Sequence, residues 1–97
     1  MQPPDRIPLV APKVCFETKA GHTYLYNPEV QTYVLLDNQV SIDIVSLCDG
    51  RRTMIDIANA IDSRYQAANP PAVLIDVRKM LTLLHEEEFV LLEDPAE

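Results

Sequence analysis

Side chains able to do chemistry are few in this sequence, and no short motif gathers them. The two cysteines, Cys15 and Cys48, lie far apart in the chain, and each of the two histidines, His22 and His85, stands alone. A metal centre wants thiolates or imidazoles at short spacing, and a nucleophilic site wants a base beside its nucleophile; neither spacing is present. Two glycines in 97 residues leave no glycine-rich loop to cradle a phosphate. Glu86-Glu87-Glu88 concentrates negative charge, but consecutive helical residues point in different directions, so the run reads as solvated surface. His85, late in a helical pattern, has a plain role in complementing a helix C-terminus. No catalytic residue, metal ligand or cofactor is assigned.

The bulk properties narrow the class further. A chain of 97 residues with 47% hydrophobic content makes one small globular domain. Fifteen acidic against eight basic residues give a net charge of −7. That balance opposes binding to phosphates, which normally takes a basic face. Cys15 and Cys48, each flanked by apolar residues, are expected to be buried free thiols in a reducing compartment. Neither a signal-peptide pattern at the start nor a membrane-spanning run is evident, so a soluble cytoplasmic protein without membrane contact is expected.

The elements that would position a site follow from periodicity. Residues 1–12 hold four prolines and read as an extended arm, with Ile7, Leu9 and Val10 available to dock on a domain spanning 13–97. Lys13–Lys19 alternates as a strand, Ala20-Gly21 turns, and His22–Asn27 forms a second strand. After Asn27-Pro28-Glu29 comes a third, Gln31–Leu36, β-branched and aromatic at its centre. Short turns make these an antiparallel meander. The period then becomes helical: Asp37 or Asn38 opens a helix bearing Val40, Ile44, Leu47 and Cys48, and Asp49-Gly50 closes it. Thr53, with Asp56 three residues on, opens a second helix with Ile57, Ala58 and Ile61 on its apolar face. Asn69-Pro70-Pro71 breaks it. A third helix over 72–87 carries Val73, Val77, Met80, Leu81 and Leu84 as its core stripe, and Phe89–Glu93 follows as a short extended segment. Three strands, three helices and an extended tail make an α+β fold close to a winged helix-turn-helix.

One ordered set of motifs goes beyond fold class. Tyr24-Leu25-Tyr26-Asn27-Pro28, the helix-opening Asn38, Leu47-Cys48-Asp49-Gly50-Arg51-Arg52-Thr53 with Ile57-Ala58, and Asp76-Val77 with Leu81 occur in sequence over residues 13–92. The set resembles the PqqD family, the precursor-recognition elements of ribosomally synthesised, modified peptides. The chain departs from the family pattern where Asp37 replaces a leucine and Glu88 replaces the glycine that commonly ends the third helix. The exit toward Phe89 is therefore expected to differ or be strained.

The resemblance implies a non-catalytic module that takes a leader peptide as an added strand and presents it to a modifying enzyme, often a radical S-adenosylmethionine enzyme. On that reading Gln31, Thr32, Tyr33, Val34, Leu35 and Leu36 form the template, and Leu74, Arg78, Leu81 and His85 form the opposing wall. Whether Tyr33 or Val34 faces the groove depends on register and stays open. Two alternatives also stay open. One is a DNA-binding winged-helix regulator, against which stand the leucines around Arg78 and Lys79 and the three glutamates after them. The other is a structural or homodimeric subunit using Ile75 and Leu83, which lie off the core stripe.

Overall fold

The strand and helix signals are realised in the order read from the sequence. In a computed structural model, which describes residues 5–66 and 70–94, strands β1 (Ile7–Val10), β2 (Cys15–Lys19), β3 (His22–Asn27) and β4 (Thr32–Leu36) are followed by helices α1 (Gln39–Ser46), α2 (Met54–Tyr65) and α3 (Pro70–Glu86) and strand β5 (Val90–Glu93). Strands β2, β3 and β4 form an antiparallel sheet in that order, and β1 pairs with β5 in a separate two-stranded ribbon. Two findings go beyond the sequence reading. Part of the proline-rich arm is a strand, and Gln31 belongs to the turn before β4, with φ 54°.

Local chemistry explains the boundaries. Ala20 and Gly21, both at positive φ, make the two-residue turn whose backbone twist matches a β-hairpin. The Asn38 side chain accepts the Ser41 N–H at 2.8 Å and caps α1. Thr53 and Asp56 each accept the other's backbone N–H at 3.1 Å, the reciprocal capping box anticipated for α2. Helix α3 begins at Pro70, two residues earlier than expected; a proline in a first turn lacks only an N–H that has no helical partner. The Asn69 part of the expected break lies outside the described residues.

The core is shared by all the layers. Leu25 and Leu36 reach down from the sheet, Ile44, Val45 and Cys48 come from α1 and its exit, and Ile57 and Ile61 from α2. Val77, Leu81 and Leu84 come from α3, and Phe89 and Val90 close the end. Between α1 and α2, Asp43 accepts hydrogen bonds from the Tyr65 hydroxyl and Gln39 and pairs with Arg64 at 3.1 Å. These donors, Tyr65 first, hold its carboxyl below the usual carboxylate range.

The end of α3 resolves the departure at Glu88. Phe89 N–H donates to the Leu84 carbonyl at 2.8 Å and Glu88 N–H to that of His85 at 3.1 Å, the bond pair of a Schellman cap. Glu88 accordingly takes the left-handed conformation, φ 69°, which costs a non-glycine residue roughly 1–2 kcal/mol. Buried Asn27 secures the turn, donating through Nδ2 to the Glu88 carbonyl at 2.6 Å while its Oδ1 accepts the Glu29 N–H. The cap also inserts fully buried Phe89 against Leu84.

Candidate functional site

The register of the meander determines what β4 offers on its outer side. In a two-residue hairpin the closing pair, here Lys19 and His22, exchanges both backbone hydrogen bonds, and bonded and non-bonded pairs then alternate. Carried across β3, the alternation points the backbone groups of Thr32, Val34 and Leu36 toward β3. Those of Tyr33 and Leu35 face outward, where the sheet ends. The side chains alternate as well. Leu36 is buried and Val34 packs on the core, whereas Tyr33 and Leu35 are exposed. Tyr33 sits 4.4 Å from the ring of Tyr26 on the opposite face, with the Lys19 ammonium 4.3 Å above it.

Beside this edge lies a cleft of about 430 Å³. One wall is Val34, Leu35 and Leu36; the other is Met80, Leu83, Leu84 and Glu87 of α3, with Ser41 of α1 near the strand end. Leu83 is 60% exposed, unusual for a leucine beside a core stripe. It also lines a second, separate hollow with Arg78, Lys79 and Thr82, formed by α3 residues alone.

The residues expected to form the wall on α3 are placed differently from one another. Leu81 is fully buried and belongs to the core, as its place in the apolar stripe dictates. Leu74 packs partly against that core. Arg78 pairs with Asp5 at 3.4 Å, and Asp5 also accepts the Ile55 N–H at 2.8 Å, tying the N-terminal arm to α2 and α3. His85 lies elsewhere: its Nδ1–H donates to the Val90 carbonyl at 2.9 Å, and it lines a separate hollow with Pro12, Lys13 and Leu91. On the strand side, Val34, Leu35 and Leu36 line the cleft, while Gln31 sits in the turn. Periodicity places Met80 in the core stripe, Leu83 among candidate subunit contacts and Glu87 on solvated surface, yet all three line the cleft. The available signal was that Leu83 repeats at four-residue spacing with Lys79 and Glu87.

Among the described residues, the two thiols lie away from this cleft. Cys48 is buried with its thiol donating to the Ile44 carbonyl, and burial pushes it up to about 12. Cys15 corrects the expectation of two buried thiols: it is exposed, because a strand at the sheet edge turns it to the face away from the helices. Among the described residues no three His, Cys, Asp or Glu side chains converge to hold a metal ion. None of the described helices is long and apolar enough to cross a membrane.

Comparison with known proteins adds to this geometry. No curated protein matches the chain. A solved structure of TbiB1 in complex with the TbiA(beta) leader peptide is similar at 27% identity and TM-score 0.69, over 92% of this chain and 99% of that one. A lasso peptide synthetase B1 complexed with the leader peptide matches at 19% identity and TM-score 0.69, covering 88% and 98%. PqqD from Xanthomonas campestris matches at 18% identity and TM-score 0.50, covering 82% and 96%. These last two likenesses speak to the fold. The family description "Coenzyme PQQ synthesis protein D (PqqD)" matches residues 23–90, from β3 through the start of β5. With most of the domain matched, this chain belongs to the PqqD family.

Proposed function

We propose that this chain is a non-catalytic module that binds the leader segment of a ribosomal precursor peptide and holds it for a modifying enzyme. The observation that carries the reading is the open, uncharged edge of β4 running beside an apolar cleft on α3. A guest strand would bond its main chain to the outward groups of Tyr33 and Leu35, and its alternate side chains would enter the cleft. The similarity to TbiB1, a protein solved with a leader peptide bound, supports the same reading. Within the proposal Thr32–Leu36 is the template, and Met80, Leu83 and Leu84 join it in place of the buried Leu81. Arg78 serves at the margin; Gln31, Leu74 and His85 act only indirectly, through the turn, the core and β5.

Tethering a substrate in this way raises its effective concentration at the enzyme and orients the segment to be modified. The family resemblance makes a radical S-adenosylmethionine enzyme in the cytoplasm the first partner to test. Leu83 supports peptide capture over a homodimer contact, because it lies within the cleft rather than on an isolated patch. A DNA-binding role is disfavoured by the acidic end of α3 and the net charge of −7.

The test is a fluorescence-anisotropy titration of a labelled leader peptide, taken from a precursor encoded beside the gene, into the intact chain. Saturable binding is the expected result. Absence of saturation with every neighbouring precursor sinks the proposal.

A further inference from the structure

The α3 surface beside the apolar cleft is charged differently along its length, and this polarity bears on which peptides the cleft accepts. Lys79, Leu83 and Glu87 follow one another at four-residue intervals on α3; Leu83 and Glu87 line the cleft, and Leu83 with Lys79 lines the neighbouring hollow. Arg78 is engaged by Asp5, whereas Lys79 and Glu87 have no ion-pair partner among the described residues. Glu87 also sits at the helix C-terminus, where the aligned backbone carbonyls add negative potential of their own. Those carboxylates are unfavourable for the helix itself, so a cation held there would relieve the repulsion.

The direction of β4 relative to this row is set by Asn27. Asn27 pairs with Thr32 in the sheet and donates to the Glu88 carbonyl, so the start of β4 lies by the end of α3. The two elements therefore run in opposite senses, with the Leu36 end of β4 toward the Lys79 end of the row. A guest strand continuing the antiparallel sheet would run along α3 in the same sense as the helix.

Spacing then converts the helix row into a peptide pattern. Four helical residues advance about 6 Å. Two strand residues advance about 6.6 Å, and residues two apart point to the same face. Lys79, Leu83 and Glu87 are thus in step with positions i, i+2 and i+4 of an extended peptide.

We infer that the cleft selects leader segments of the form acidic–x–apolar–x–basic, read from N- to C-terminus. The acid is met by Lys79, the apolar side chain by Leu83 and the base by Glu87. This inference rests on the proposed peptide binding and specifies its ligand chemistry. Because both charges are exposed, each pair alters affinity modestly, by about two- to five-fold, and the preference weakens as salt rises.

The experiment selects a displayed library of random linear peptides on the intact chain and, in parallel, on a variant carrying Lys79→Glu and Glu87→Lys together. Circular dichroism confirms that the variant is folded. Binders are sorted by whether Leu35→Pro weakens their binding by about 10-fold or more. The expected result is enrichment of acidic–x–apolar–x–basic among the Leu35→Pro-sensitive binders, inverted to basic–x–apolar–x–acidic on the swapped variant. Sensitive binders with no charge pattern, with the reversed order on the native chain, or with a pattern that the swap leaves unchanged overturn the charge inference and leave peptide binding standing. If no binder is sensitive to Leu35→Pro, both fall.

Discussion

The three-stranded sheet has two edges, and they are built from different residues. Strand β2 at one edge carries Glu17 and Lys19, which pair with each other at 3.9 Å, within the stretch Cys15–Lys19. Strand β4 at the other edge reads Thr-Tyr-Val-Leu-Leu and carries no charge. Charged residues on an edge strand discourage pairing with a foreign strand, whereas an uncharged, β-branched and aromatic edge invites it. The neighbours differ as well: beside β4 stands the Met80/Leu83/Glu87 flank of α3. A third exposed backbone, that of β1, is closed from within. Val10 N–H donates to the Cys48 carbonyl and Gly50 N–H to that of Pro8, each at 3.1 Å. Among the described residues the chain therefore covers one edge, charges another and leaves the outer side of β4 without a paired strand.

The sharpest way to test that contrast separates core from cleft on the same helix. Leu81→Ala removes a fully buried side chain and is expected to cost about 2–5 kcal/mol in a denaturant melt. Leu83→Ala, two residues on and largely exposed, is expected to leave the melt within about 0.5 kcal/mol while weakening peptide binding. If Leu83→Ala proves the more destabilising of the two, the division between core and cleft does not hold. Next in size is a proline on each edge. Leu35→Pro deletes an outward donor on β4 and is expected to weaken peptide binding by about 10- to 100-fold. Thr18→Pro, the corresponding outward position on β2, is expected to leave affinity unchanged. Equal losses by isothermal titration would mean that the two edges are not functionally distinct. The smallest effect concerns the turn beneath the start of β4. Glu88→Gly relieves a left-handed non-glycine residue at some cost in chain entropy, and about 1 kcal/mol of added stability is expected. For a domain of this size that is a rise in Tm of about 4–8 °C by calorimetry, and a fall in Tm would show that Glu88 is not strained.

Much of this was legible from residue types alone, for local reasons. Asn38 and Thr53 cap their helices through their own side chains, and the alternation of Lys13–Lys19 and the helical repeat of Val77, Leu81 and Leu84 need no distant partner to be recognised. The strain at Glu88 was announced instead by the family resemblance, which sets this residue where a glycine commonly ends the third helix, and a Schellman cap demands a left-handed residue whatever its identity. The pairing of Ile7–Val10 with Val90–Glu93 was not legible. Strand pairing across the length of the chain depends on where the ends meet, not on either segment by itself.

Residue order alone determined that β4 is an uncharged strand, that three helices follow it, the first two with recognisable N-caps, and that α3 carries a core stripe with a flank on each side. The two flanks are equivalent to periodicity: one holds Leu74, Arg78 and His85, the other Lys79, Leu83 and Glu87. Only tertiary packing brought Leu83 and Glu87 of the second flank beside β4. With Val77, Leu81 and Leu84 in the core and Asn27 bonded to Glu88, the rotation of α3 about its axis is set, bringing Leu83 to the cleft and His85 to Val90.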